Sequence, residues 1–325
     1  MRLRGNIEPL PPVKTPGRQT KTQKRFWKVF WRQRYLYAMS LPFVVWVFVF
    51  HYVPVWGWTM AFQNYSPGLS FFEQEWVGFQ HFIDLFSDER FYRVLRNTFA
   101  MAVMGLVAGF TVPIVFALLL NEVRQELFKR TVQTVSYLPH FVSWVVVAGI
   151  VTKLLSTSDG MINEGLLALN LVDQPIPFMA KETWFWGIVT LSDLWKEMGW
   201  NSIIFLAAMS GVSPELYEAA KADGAGRFRQ MWHVTLPGIR STIIVLLILS
   251  IGNLMSIGFE RQLLLGNPLV VDYAEVVELY ALNYGIGLNR FSFGTAISIF
   301  NSVIAMILLF TANYLFKKYS KESVY

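Results

Sequence analysis

The sequence contains no cysteine, which excludes disulfide bonds, thiolate metal sites and cysteine nucleophiles. Charged residues are also scarce: they make up 15% of the 325 residues, whereas 54% are hydrophobic and 16% are aromatic. One water-soluble core cannot hide that much apolar surface. The composition therefore predicts a polytopic membrane protein.

Sequence motifs of membrane enzymes are missing as well. No G-x-x-x-x-G-K-[ST] segment and no Gly-Lys dipeptide occur, so the chain cannot bind ATP through a P-loop. Neither D-x-D nor H-E-x-x-H is present, and His51, His81, His140 and His233 are too far apart in the predicted topology to form a metal site. We therefore expect a non-catalytic protein without a bound cofactor or metal. The alternative functions are a membrane-embedded glycosyltransferase, which would be an enzyme, and a passive channel.

Basic residues are concentrated near the N-terminus. Of the 28 Lys and Arg, ten precede Tyr35, and the others are scattered around apolar blocks. This distribution is typical of a topology signal, so no nucleic-acid partner is expected. Residues 1–34 are predicted to form a basic cytoplasmic tail, in which 24–34 forms an interfacial helix against the lipid bilayer. Residues 35–325 are predicted to form the transmembrane domain.

Six apolar blocks are long enough to cross a bilayer, which requires about 20 residues per helix. They lie at about 36–60, 97–121, 131–155, 184–212, 238–259 and 292–316. The loops after the second and fourth blocks and the C-terminal tail carry Lys and Arg, so the positive-inside rule places them and both termini in the cytoplasm. Arg90, Arg93 and Arg96 fit this rule less well because they fall on the outer side. The sequence predicts an all-α integral membrane protein.

The cytoplasmic loop between the fourth and fifth blocks, Ser213–Pro237, is polar and helix-prone. Ser213 followed by Pro214 is a favourable helix start, with the serine as N-cap and the proline in the first turn. Gly224 is expected to end this helix in the left-handed conformation. From the residue pattern alone, the segment is either a docking helix for a soluble partner or a plain linker between spans.

This loop resembles the EAA loop of ABC import permeases. Glu218-Ala219-Ala220 is followed after three residues by Gly224 and after nine more by Val234-Thr235-Leu236-Pro237, with Val234 where isoleucine is usual. The resemblance implies the type I ABC importer permease fold, in the bacterial cytoplasmic (inner) membrane, with a coupling helix between spans four and five. It assigns coupling to the ATPase to Glu218, Ala219, Ala220, Asp223, Gly224, Leu236 and Pro237.

The same resemblance implies the partners. Such permeases pair with a second permease subunit, identical or distinct, with two ATPase subunits that dock on the EAA loop and bind ATP and Mg, and with an external solute-binding protein. The likeness covers about 35–318 and is strongest to importers of complex or acidic saccharides, such as alginate oligosaccharides. The segments that carry it are Tyr137–Trp144, Asp193–Lys196, Gly199-Trp200, Ile204–Ala208, Phe259–Gln262 and Asn267-Pro268.

Charged side chains at membrane depth are costly and are therefore candidates for function. Asp193, Lys196 and Glu197 share one face of the fourth block, and Lys196 lies roughly 18 Å from Trp184 at about 1.5 Å per residue. These charges either line a substrate path or pair only with one another. Side chains that could stack on sugars or bind hydroxyl and carboxylate groups complete the set of candidates: Trp144, Trp200, Asn253, Glu260, Arg261 and Asn301.

Overall fold

A computed structural model describes residues 31–320. Residues 1–30 of the predicted cytoplasmic tail, which include the beginning of the predicted interfacial helix, lie outside these residues. The described part is mostly α-helical and includes helices of membrane-spanning length, which confirms the prediction of an all-α membrane protein. The sequence did not indicate the short antiparallel pair β1 (Gln63–Asn64) and β2 (Glu75–Trp76).

The chain forms two compact units, residues 1–57 and 58–325. In the first unit, α1 (Arg34–Val47) contains Pro42 and buries none of its own side chains. It continues as the π-helical turn Phe48–Tyr52 and then as the 3-10 segment Val53–Phe62, which extends into the second unit. Such an exposed, apolar helical segment is suited to lipid surroundings.

The second unit is built from helices of very different lengths. Its α-helices are α2 (Gln80–Ser87), α3 (Glu89–Asn121), α4 (Glu126–Tyr137), α5 (Trp144–Leu154), α6 (Met161–Ala168), α7 (Phe185–Ser210), α8 (Pro214–Ala222), α9 (Arg227–Gln230), α10 (Leu236–Gly238), α11 (Arg240–Gly252), α12 (Glu260–Leu265), α13 (Val271–Ala274), α14 (Val277–Ala281) and α15 (Phe291–Ser320). The 3-10 segments are Phe71–Glu73, Leu138–Phe141, Phe178–Ala180 and Glu182–Trp184, and the π-helical turns are Met231–Thr235 and Leu282–Gly287.

Within residues 31–320, three single helices are long and apolar enough to cross a membrane: 34–62, α3 and the 291–318 part of α15. Two bent helix pairs meet the same criterion only as pairs: 126–141 with α5, and 227–238 with α11. Although α7 has 26 residues, it carries three charged side chains, which lower its apolar character. The number of six spans therefore stays a prediction.

The predicted third span is not one straight helix. The segment 126–141 meets α5 at an angle of 104°. Pro139 lies in the 3-10 turn before the bend and has no backbone N–H to donate. Ser143 then restarts the helix as an N-cap, with its hydroxyl accepting a hydrogen bond from the Val146 backbone N–H. The helix axis changes direction at these residues.

The predicted fifth span is also bent, by 63°, where Pro237 and Gly238 precede α11. Moreover, α11 ends at Gly252, with Asn253 as its C-cap, and residues 253–259 are not helical. The sequence predicted a helix that continues to 259. Because of this break, Arg261 lies on the separate short helix α12.

Residues 89–96, expected in the outer loop before the second span, form the first turns of α3. Asp88 caps this helix, since its carboxylate accepts a hydrogen bond from the Arg90 backbone N–H at 2.9 Å. The Arg90 guanidinium binds both carboxylate oxygens of Glu275, at 2.7 and 3.0 Å, and Arg93 lies 3.8 Å from Asp272. Two of the three arginines that fit the topology rule less well are thus paired with acidic residues.

Close contacts hold α7 between its neighbours. It packs along α3, and a buried cluster of Ala117, Phe205, Met209 and Ile239 joins the C-terminal parts of both helices to the residue before α11. On α7, a Cβ atom at Gly199 would lie 2.1 Å from the Ser136 carbonyl oxygen of α4. Only glycine therefore permits this approach of α4 and α7.

Candidate functional site

The loop between α7 and α11 begins with α8, which ends at a left-handed glycine. Gly224 has φ +77°. Its N–H donates to the Lys221 carbonyl at 3.0 Å, and the Ala225 N–H donates to the Ala220 carbonyl at 2.8 Å. These two bonds form the Schellman arrangement that closes a helix. The prediction that Gly224 ends the first helix of this loop is confirmed.

The start of α8 differs from the prediction in one respect. Pro214 occupies the first turn, as predicted, but the Ser213 hydroxyl makes no capping hydrogen bond. Ser213 has φ −58° and ψ 128° and is exposed, so it holds the N-cap position without the side-chain bond. The helix start therefore relies on the proline, whose fixed φ suits the first turn.

A single side-chain hydrogen bond ties α8 to the second half of the loop. The Tyr217 hydroxyl lies 3.0 Å from Oγ1 of Thr235, which is fully buried. The predicted coupling residues are mostly open to solvent: Glu218, Ala219, Asp223, Gly224 and Pro237 are exposed, and Ala220 and Leu236 are half-buried. A soluble partner could therefore reach the outer surface of α8.

About halfway along α7, Lys196 binds groups within the protein. Its Nζ donates to the His140 carbonyl at 2.7 Å and to Glu197 Oε1 at 2.9 Å. Glu197 Oε2 lies 2.7 Å from His140 Nδ1, and the His140 ring stacks on Trp200 with the centroids 4.2 Å apart. The Lys196 side chain is only 7% exposed. For Lys196 and Glu197, the geometry thus favours internal pairing, which ties the bend before α5 to α7.

Asp193 does not share this pairing but binds Arg261 of α12. Asp193 Oδ1 lies 2.6 Å from Arg261 Nη1, and a second guanidinium nitrogen donates to the Ile257 carbonyl. The guanidinium carbon lies 5.6 Å from the centre of the Trp144 ring, and Lys196 Nζ lies 5.9 Å from the same centre. Trp144 therefore offers a π face to both cations.

A cavity of about 360 Å³ lies beside the Asp193–Arg261 pair, among α3, α7, α11 and residues 253–262. Of the predicted substrate-path residues, Asp193, Asn253 and Arg261 line it. The others, Trp144, Lys196, Glu197, Trp200, Glu260 and Asn301, are not part of its lining. The cavity thus brings together only a subset of the candidates.

Further polar residues line the same cavity and were not among the predicted site residues; they include Asn201, Ser250 and Gln262. Asn201 follows Asp193 by eight positions, and this helical spacing could have placed both residues on one face of α7. Gln262 is 1% exposed, and its Oε1 has no hydrogen-bond partner. Its position depends on the break after α11, which falls at Gly252 and Asn253, residue types that often end helices.

Apolar helices around a cavity that contains several polar residues, together with an exposed helical loop, fit the class of membrane transport proteins. In the described part of the chain, no three His, Asp or Glu side chains lie close enough to share a metal ion. Residues 103–321 match the family described as binding-protein-dependent transport system inner membrane component. The chain belongs to this family and is therefore an integral inner-membrane transport component, not an enzyme.

Curated relatives cover most of the chain. It is 46% identical to the polygalacturonan/rhamnogalacturonan transport system permease protein YteP of Bacillus subtilis, over 90% of this chain and 91% of YteP. It is 45% identical to the protein LplB of the same organism, over 90% and 92%. It is also 31% identical to the arabinooligosaccharides transport system permease protein AraP of Halalkalibacterium halodurans, over 93% and 94%.

Solved structures extend this similarity to the fold. The chain matches a bacterial ABC transporter involved in the import of the acidic polysaccharide alginate, with TM-score 0.84, 39% identity and coverage of 91% of this chain and 99% of the other. It also matches a bacterial alginate ABC transporter in complex with an alginate pentasaccharide-bound periplasmic protein, with TM-score 0.85, 39% identity and coverage of 92% and 100%. The predicted type I ABC importer permease fold is thereby confirmed.

Proposed function

We propose that this chain is the membrane permease subunit of an ATP-driven importer that takes up acidic, uronate-containing oligosaccharides. The observation that carries the proposal is the match to the alginate transporter along nearly the whole chain, with TM-score 0.84 and 39% identity. The relative named for polygalacturonan transport points to the same chemical class. Polygalacturonan and alginate are both polymers of sugar acids, so a shared need to bind carboxylates is the simplest link between them.

In this proposal, the chain receives energy from partners. Two ATPase subunits dock on the EAA loop and hold ATP and Mg, a second permease subunit completes the pathway, and an external solute-binding protein delivers the saccharide. The absence of a P-loop motif supports the assignment of ATP to a partner. Both termini and α8 lie in the cytoplasm, as the positive-inside rule predicts.

The proposed coupling path is short. Only residues 211–213 separate the end of α7 from the start of α8. Force on α8 would therefore reach α7, which carries Asp193 at the cavity. The Schellman bonds at Gly224 end α8 at a fixed residue. A short, rigid helix of this kind transmits a displacement better than a flexible linker does. Rocking of the spans around the cavity would alternate access between the two sides of the membrane.

Variants of α8 test this function in the assembled transporter. Glu218→Lys reverses an exposed charge on the docking surface, and Gly224→Leu puts a side chain at φ +77° into a region that disfavours it. We expect both variants to insert normally but to hydrolyse ATP without uptake. Gly226→Ala is the matched control, because Gly226 has φ −68° and space for a methyl group. Normal uptake by both test variants would refute the coupling role of α8.

A further inference from the structure

One ion pair supplies the charge in the described cavity lining. Among the described residues that line it, Arg261 is the only cationic side chain, and Asp193 is the only anionic one. Their ion pair, 2.6 Å long, makes the lining neutral overall. Both side chains remain partly open, at 21% and 27% exposure, so a molecule in the cavity could reach them.

The other cation nearby is not available to a ligand in this way. Lys196 is outside the cavity lining, and its ammonium group already binds the His140 carbonyl and Glu197. Arg261, in contrast, has two contacts that hold its guanidinium in place without Asp193, so another carboxylate can replace Asp193. One guanidinium nitrogen binds the Ile257 carbonyl, and the guanidinium lies near the Trp144 ring. The Arg261 fork is therefore preorganised for a carboxylate.

We propose that the carboxylate of a uronic acid exchanges with Asp193 on Arg261 during transport: Asp193 binds the guanidinium in the conformation described above, and the substrate carboxylate takes its place. This inference rests on the proposed function and assigns acid selectivity to one ion-pair exchange. A neutral sugar cannot replace Asp193, because its hydroxyls offer no negative charge to the guanidinium. With a neutral sugar in the cavity, the ion pair between Asp193 and Arg261 therefore stays intact.

An unpartnered buried group in the same wall supports a ligand at this place. Gln262 is next to Arg261 in the chain, is 1% exposed and lines the cavity, and its Oε1 has no hydrogen-bond partner. Buried polar atoms are normally satisfied, so an orphaned acceptor in a cavity wall requires an explanation. Oε1 itself is inaccessible from the cavity, so the Gln262 amide must rotate before a saccharide hydroxyl can donate to it while the carboxylate binds Arg261.

Direct binding to the permease–ATPase complex in nanodiscs, without the binding protein, tests the exchange. The probes are trigalacturonate and its methyl ester, which have similar size but differ in charge. We expect the wild type to prefer the acid. Asp193→Asn removes the competing carboxylate and should tighten acid binding about 10- to 100-fold, the worth of one charge-assisted hydrogen bond, with the ester unchanged.

Variants at Arg261 give the opposite result. Arg261→Gln should abolish the preference for the acid, whereas Arg261→Lys keeps the charge and the ion pair and should retain part of the preference. Arg130→Gln is the matched control, because Arg130 is 78% exposed and lies outside the cavity lining. It should behave as the wild type.

Equal changes in acid and ester binding for Asp193→Asn and Arg261→Gln would overturn the inference, because the pair would then only support the structure. Failure of the wild-type complex to bind either probe, with ATP-driven uptake of trigalacturonate intact, would also overturn it. If the complete transporter with its binding protein takes up no acidic oligosaccharide, the proposed function itself fails, and the inference fails with it. The uptake measurement therefore shows whether the proposed function fails or only the ion-pair exchange.

Discussion

The close approach of α4 and α7 at Gly199 leads to a specific prediction. In Gly199→Ala, the new Cβ would lie 2.1 Å from the Ser136 carbonyl oxygen and 2.5 Å from its carbonyl carbon. Ordinary contacts are about 3.5–4 Å long, so the backbone of α4 must move by more than about 1 Å. Overpacking of this kind costs about 1–3 kcal/mol. At about 2–4 °C per kcal/mol, the melting temperature should fall by roughly 2–12 °C.

Thermal melting of the purified protein in detergent, followed by size-exclusion chromatography, measures this effect. Gly187→Ala is the matched control on the same helix, because nothing lies within 4 Å of a Cβ there. It should be neutral or slightly stabilising, since alanine favours helix by up to about 1 kcal/mol over glycine. If Gly199→Ala melts at the wild-type temperature, the packing of α4 against α7 is not as tight as described.

Three further predictions concern other parts of the chain. Arg90→Gln leaves the Glu275 carboxylate, 4% exposed, without its main partner. Breaking a buried pair costs about 3–5 kcal/mol, and the cost is smaller here because Arg90 is 38% exposed. The melting temperature should therefore fall, and adding Glu275→Gln should restore part of it. Asn163→Leu removes three hydrogen bonds to the Ser156 and Ile176 backbone, so limited proteolysis should cut residues 156–183 faster, and an unchanged rate would contradict that role. Because the chain has no cysteine, single-cysteine variants report topology without background. An impermeant maleimide added to intact cells should label Asp173→Cys but not Lys221→Cys, and the reverse would refute the proposed orientation.

Local features of the loop could be predicted from the sequence because neighbouring residues determine them. Gly224 ends α8 since glycine adopts a positive φ without steric cost, and this requires no tertiary contact. Pro214 marks the first turn for a similar local reason. Ser213 holds the predicted N-cap position but makes no side-chain capping bond, because an exposed hydroxyl has water as a competing partner.

Long-range features of the cavity could not be predicted. The spacing of Asp193 and Lys196 left open whether they pair with each other or line a path, and it did not indicate that Asp193 binds Arg261 from another helix. That contact depends on the end of α11 at Gly252. Gly252 and Asn253 are residue types that often end helices, but they lie inside a long apolar run, so the sequence alone predicted a continuous span. The 104° bend was missed as well, because prolines occur in several apolar blocks and only tertiary packing decides which of them interrupts a span.

The most direct test of the proposed function is uptake of radiolabelled trigalacturonate into proteoliposomes that contain this chain, its permease and ATPase partners and the binding protein. We predict accumulation that requires ATP hydrolysis and is lost with Glu218→Lys while the ATPase remains active. Uptake without ATP, equal in wild type and variant and ending at equal concentrations on both sides, would show a passive channel and contradict the proposal.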